Sequence, residues 1–145
     1  MTIIKRSALV GYSARQMFEL VNNVDDYPRF LPWCSESHII TNKTDEIEAE
    51  LTISWAGMNK SFITRNSLQP YERMDITLVS GPFHKLQGHW QFLALNHKAC
   101  KVCLELEFEF AGSMLDKVFQ PIFNHIANTL VDSFCKRAVT IYGQS

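Results

Sequence analysis

The chain has 145 residues, of which 46% are hydrophobic and 20% charged, with a formal net charge of −1. That is enough apolar material for one core. The charge is too low and too mixed for a nucleic-acid surface, so a single domain over residues 1–145 with no DNA partner is expected. No stretch approaches the ~20 apolar residues of a membrane span, and Met1-Thr2-Ile3-Ile4-Lys5-Arg6 lacks a signal-peptide core, which makes the cytoplasm the expected compartment.

Ile4, Ala8 and Val10 alternate imperfectly with Lys5, Ser7 and Leu9 and predict a first strand. Ser13 and Gln16 form a capping box. It opens a short helix with Met17, Phe18, Val21 and Val24 on one face, ending near Asn22-Asn23. One further helical turn follows, with Asp26 as its cap, Pro28 inside it and Pro32 ending it.

From residue 37 to residue 110 the period changes to two. Ile47, Ala49, Leu51, Ile53 and Trp55 oppose Glu46, Glu48, Glu50, Thr52 and Ser54. In the same way Val102, Leu104, Leu106, Phe108 and Phe110 oppose Lys101, Glu105, Glu107 and Glu109. Each segment therefore has one dry and one wet face. Further strands are expected near 60–68, 74–80 and 86–95, separated by turn signals such as Gly57-Met58-Asn59, Gly81-Pro82 and Asn96-His97-Lys98. Short connections of this kind predict an antiparallel meander.

The last element is a long helix over 113–142. Leu115, Val118, Phe119, Ile122, Phe123, Ile126, Leu130 and Phe134 fall at spacings of three and four, while Lys117, Gln120, Asn128, Asp132, Lys136 and Arg137 fall mainly opposite. Ser113 with Asp116 reads as its N-terminal box, Gly143 as its stop, and Pro121 predicts a kink. At ~1.5 Å per residue the helix is about 45 Å long and cannot bury its stripe alone. The expected fold is α+β: a curved antiparallel sheet of six to seven strands wrapped around this helix, with two short helices after the first strand. Where sheet and helix do not fully meet, a cavity remains.

Candidate sites are few. Cys100 and Cys103 match C-x-x-C, but residues three apart on a strand face opposite sides, and a lone pair does not make a metal site. Free thiols are expected for both, and for Cys34 and Cys135. The histidines at 38, 84, 89, 97 and 125 show no ligand spacing. The carboxylates of the clearest strands fall on the wet face, and Thr64, Asn66 and Ser80, which can point inward, have no activating base. A binding role rather than catalysis is expected. The inward aromatics, counting Trp55, Phe62, Trp90, Phe92, Phe108, Phe110, Phe119 and Phe123, divide between packing and a pocket for an apolar ligand. The run Tyr27-Pro28-Arg29-Phe30-Leu31-Pro32-Trp33-Cys34 is too apolar to sit idle in solvent and is expected to form a lid over the cavity.

The segment from Val24 to Cys34, together with Phe62-Ile63-Thr64-Arg65-Asn66 and Gly81-Pro82-Phe83 leading to Leu86-Gln87-Gly88-His89-Trp90-Gln91-Phe92, resembles the coenzyme-Q-binding branch of the START/Bet v1 helix-grip superfamily. The bacterial ribosome association toxin A group, often labelled polyketide cyclase/dehydrase-like, is the nearest form it resembles. The resemblance covers essentially the whole chain and implies a hydrophobic tunnel between sheet and helix. It implies two functions. One is binding of ubiquinone or a related polyprenyl quinone in support of respiration, with transient contact at the inner membrane. The other is binding of the large ribosomal subunit to block subunit joining. A small residue is more frequent in the toxin group where Trp33 stands, which tilts the reading to the quinone branch. The expected ligand-binding residues are Phe30, Leu31, Trp33, Phe62, Phe83, Trp90, Phe92, Phe110, Phe119, Phe123 and Ile126, with no cofactor and no metal.

Overall fold

The computed structural model describes residues 1–55 and 57–143, except for the side chains of Leu115 and Asp116. Strand β1 (Thr2–Val10) leads into helix α1 (Ala14–Asn22) and a 3₁₀ segment (Val24–Arg29). Strands β2 (Cys34–Asn42), β3 (Glu46–Trp55), β4 (Met58–Gln69), β5 (Arg73–Ser80), β6 (Phe83–Asn96) and β7 (Ala99–Phe110) follow, then helix α2 (Ser113–Tyr142). Among the described residues they form one antiparallel sheet in the order β1-β7-β6-β5-β4-β3-β2. The predicted meander is therefore present. The two helical elements carry the chain from β1 at one edge to β2 at the other.

Local chemistry explains the boundaries. Ser13 Oγ accepts from the Gln16 N–H at 3.1 Å and Gln16 Oε1 accepts from the Ser13 N–H at 2.9 Å, the predicted capping box. At the β6–β7 hairpin the Asn96 carboxamide oxygen accepts from the Lys98 N–H at 2.7 Å, an Asx turn. Register shifts that leave an extra residue on β2, β5 and β6 mark bulges, which add twist and let the sheet curl. The strands run longer than their hydrophobic alternation suggested: β6 starts at Phe83 rather than near residue 86, with Phe83 and Lys85 paired to Phe110 and Glu109 of β7.

Helix α2 lies against the concave face. Phe119, Phe123, Ile126, Ala127, Val131, Phe134 and Ala138 are buried along it. Phe123 packs against Phe108, with ring centroids 4.6 Å apart, and against Phe83 at 5.1 Å. The helix runs unbroken through Pro121.

Several expectations are corrected. Val118 belonged to the predicted stripe but is 43% exposed and borders a surface recess with Met58, Asn59, Lys60 and Met114 rather than the core. The N-cap of α2 is not Ser113, as the predicted box requires. Gly112, at φ 102°, is the N-cap and makes no side-chain bond; the side chains of Leu115 and Asp116 lie outside the described residues. Asp26 sits inside its helical turn rather than capping it, and its carboxylate pairs with Arg29 and Arg137. Arg137 is accordingly mostly buried, not on a wet face. Trp55 is 37% exposed at the end of β3, against His125. Ser80 is exposed at the end of β5.

Candidate ligand cavity

Three surfaces enclose a cavity. From α2 come Phe123, Ile126, Ala127, Leu130 and Phe134. Strands β3 to β7 contribute Ala49, Leu51, Phe62, Thr64, Asn66, Met74, Ile76, Leu86, Trp90 and Leu106. Val24, Tyr27 and Trp33 close it from the segment between α1 and β2. All the strand residues in that set follow the two-residue repeat, so one dry face supplies them. The volume is about 80 Å³, against the ~150 Å³ of a cavity that takes benzene. A larger ligand has to widen it, and flexible Met74 and half-buried Leu130 are the side chains best able to yield.

Of the residues expected to bind ligand, Trp33, Phe62, Trp90, Phe123 and Ile126 border this space. The other six pack around it. Phe83, Phe110 and Phe119 join a ring cluster beside Phe123, with Phe83 stacked on Phe110 at 4.6 Å. Phe92 lies between Phe18 and Trp90. Leu31 is fully buried, its N–H bonded to the Tyr27 carbonyl at 2.9 Å. Phe30 packs edge-on against Tyr27 and Phe134. Tyr27, Thr64, Asn66, Met74 and Phe134 also border the cavity but were outside that set. Phe134 was legible in the helical stripe and Tyr27 in the aromatic run. Met74 gave no signal beyond its place in a strand.

The 27–34 segment is tied down more firmly than a mobile lid. The Ser54 N–H donates to the Trp33 carbonyl at 2.8 Å, so the segment reaches the sheet ladder in spite of its prolines. Tyr27, Leu31, Trp33 and Cys34 are buried, while Pro28, Arg29 and Pro32 are exposed.

The wall is neutral. Among the described residues no carboxylate, histidine, lysine, arginine or cysteine lines the cavity. The Tyr27 hydroxyl donates to the Val21 carbonyl, and burial raises its pKa far above the ordinary phenol value. Burial likewise pushes the neighbouring Cys34 thiol up to about 11. Thr64 and Asn66 are the buried polar side chains, joined by a hydrogen bond of 3.2 Å. Such a wall holds an apolar molecule by burial, with few groups to fix its orientation. Among the described residues no group of three or more His, Cys, Asp or Glu could hold a metal, and no helix is long and apolar enough to cross a membrane.

A helix gripped by a curled antiparallel sheet, with an apolar space between them, is the START/Bet v1-like architecture. The chain belongs to the family described as polyketide cyclase / dehydrase and lipid transport, whose model matches residues 10–135. It is 46% identical, over 98% of its length and 99% of the relative's, to a protein of Pseudomonas aeruginosa named ribosome association toxin RatA. It is 26% identical to a Xenopus laevis protein named coenzyme Q-binding protein COQ10 homolog B, over 95% of this chain and 58% of that one. Among solved structures, a START superfamily protein from Mycobacterium smegmatis superposes with TM-score 0.68 at 20% identity, covering 90% of this chain and 94% of that one. The Zhui aromatase/cyclase of a Streptomyces species superposes with TM-score 0.78 at 16% identity, covering 99% of both chains. At those identities the structures share the fold alone. The higher identity to RatA runs against the tilt toward the quinone branch drawn from Trp33.

Proposed function

We propose that the protein is a non-enzymatic binder and carrier of a hydrophobic ligand of the polyprenyl quinone class, acting in support of respiration. The observation that carries this is the neutral, almost wholly apolar cavity between α2 and the concave face of the sheet. An isoprenoid tail gains about 0.8 kcal/mol for each CH₂ taken out of water, so such a wall gives affinity without charged contacts. The relative named as a coenzyme Q-binding protein supports the same ligand class. With no inward acid or base among the described residues, the site has no group positioned to move a proton near neutral pH. The protein works from the cytoplasm and touches the inner membrane transiently as ligand is exchanged. Organic extraction of natively purified protein, with mass spectrometry of the extract, tests the reading. A bound quinone and a thermal shift on adding ubiquinone are expected. A lipid-free protein with no shift would remove it.

A second reading, association with the large ribosomal subunit, is favoured by one observation, the 46% identity to a protein named ribosome association toxin. On the outer face of the sheet Lys5, Arg65, Arg73 and Lys85 each lie within 4 Å of a carboxylate, which weakens any pull on ribosomal RNA phosphates. The contact expected is therefore with ribosomal protein as much as with RNA. Sedimentation with purified subunits decides it: co-migration with the large subunit at low salt is expected, and its absence there ends this reading.

A further inference from the structure

Thr64 and Asn66 interrupt an otherwise apolar wall. They stand two residues apart on β4, on the face turned to α2, and are 6% and 8% exposed. Their neighbours across the sheet are apolar. Thr64 is paired with Ala49 on β3, and Asn66 with Ile76 on β5. Ala49 is the smallest side chain available short of glycine, so space is left on the cavity side of the pair.

The hydrogen-bond inventory of the pair is unbalanced. The Thr64 hydroxyl donates to Asn66 Oδ1 at 3.2 Å. Together the two side chains carry three polar hydrogens, two on the amide and one on the hydroxyl, and this bond uses one of them. Whichever way the amide is turned, two remain. Among the described residues no other protein group bonds to either side chain. Nor is the amide nitrogen sealed in the core, since the fully enclosed side-chain atoms without a partner are Asn22 Oδ1, Asn124 Oδ1 and Arg137 Nε. Both residues line the cavity. Polar hydrogens in an apolar enclosure are costly unless an acceptor meets them.

We propose that Thr64 and Asn66 form a polar anchor, which receives the head of the ligand through a carbonyl-type oxygen lying against the inner face of β4. This rests on the reading of the cavity as an apolar-ligand site and adds the chemistry of the head. A quinone ring, planar and bearing carbonyl acceptors, satisfies the free amide hydrogens. A plain hydrocarbon does not. A fatty acid brings an anion, and no lysine or arginine among the described residues lines the cavity to meet it.

Competition against a neutral fluorescent dye, N-phenyl-1-naphthylamine, tests this with two probes of matched tail, decylubiquinone and decylbenzene. Wild type is expected to prefer decylubiquinone by about tenfold, the effect of one hydrogen bond near 1.4 kcal/mol. Asn66→Leu is expected to bring that ratio close to one. Where Asn66→Leu does not fold, Asn66→Ala carries the same expectation. A preference unchanged in the variants overturns the anchor. A wild-type ratio near one also overturns it but leaves the apolar-ligand reading standing. If neither probe displaces the dye from wild type, the cavity is no ligand site and both readings fall.

Discussion

Arg137 on α2 and Asp26 in the 3₁₀ segment, 111 residues apart in sequence, meet at 3.0 Å with side chains 16% and 12% exposed. The Arg137 guanidinium also lies over the Phe30 ring, 5.1 Å from its centroid. The bridge pins the segment that closes one side of the cavity to the helix that forms its floor. The pair is not symmetrical. Asp26 has a second partner, Arg29 at 3.1 Å, whereas Arg137 has an enclosed Nε with no partner at all. Removing one side of a buried pair leaves the other charge uncompensated, typically at ~3–5 kcal/mol. Asp26→Ala is therefore expected to cost about that much. Arg137→Met keeps the stem packed on Phe30 and leaves Asp26 to Arg29, so it is expected to cost about half as much or less. Urea denaturation of the two variants gives the order, and equal losses would contradict the asymmetry.

Trp33 distinguishes a gate from a seal. It is 6% exposed, borders the cavity, and its carbonyl is held by Ser54. Trp33→Ala is expected to lower stability by the ~3–5 kcal/mol of truncating a buried large aromatic. A loss under about 1 kcal/mol, the range of mild substitutions, with altered uptake would instead make the segment a gate.

Phe123 is the point where α2 grips the sheet, in edge-on contact with Phe62, Phe83, Phe108 and Phe110. Phe123→Asp puts a carboxylate among those rings with no cation beside it. The expected cost is several kcal/mol, comparable to the whole stability of a typical domain, and the variant should be unfolded by circular dichroism at about 25 °C. A cooperative melt near that of the parent would mean that the helix does not carry the core.

Two glycines separate close approach from backbone strain. A Cβ on Gly88 would lie 2.1 Å from the Glu105 carbonyl oxygen on β7, which only a shift of the paired strands could relieve. At Gly57, φ is 81° and nothing lies within 4 Å of the added atom. Gly57→Ala should cost about 1 kcal/mol for the left-handed conformation alone. Gly88→Ala should cost clearly more. Thermal melts of the two variants check the ranking.

Burial raises the Cys34 and Cys100 thiols from 9.0 to about 11. Raised values mean that the unfolded chain gives up these protons first. Their contribution to stability is complete below pH ~9 and declines as pH rises from ~9 toward 11. The urea midpoint should fall across that window, and a Cys34→Ala, Cys100→Ala variant should show a shallower fall. An identical pH profile would show that other groups govern the alkaline limb.

The periodicity of the sequence determined the element order, through a two-residue alternation over β3 and β7 and a three-and-four spacing over α2, and the short connections between strands determined the antiparallel pairing. It also determined which side of each strand is dry, and therefore that Phe62, Trp90, Phe123 and Ile126 stand near one another. Tertiary structure decided which of the buried rings face empty space and which face each other. Phe110 and Phe119 read as inward just as Phe123 does, and Phe83 entered only through the resemblance, yet all three pack against one another and Phe123 in a ring cluster beside the cavity. The separation of two curved surfaces depends on bulge positions and on the summed volumes of side chains from many elements, and no local pattern encodes that sum. The same holds for Asp26 and Arg137. Each reads locally as a solvated charge, and only the docking of the 3₁₀ segment on α2 removes both from water. Thr64 and Asn66 were legible as inward polar residues. Their unspent hydrogens became apparent only once every neighbouring acceptor had its position in the fold.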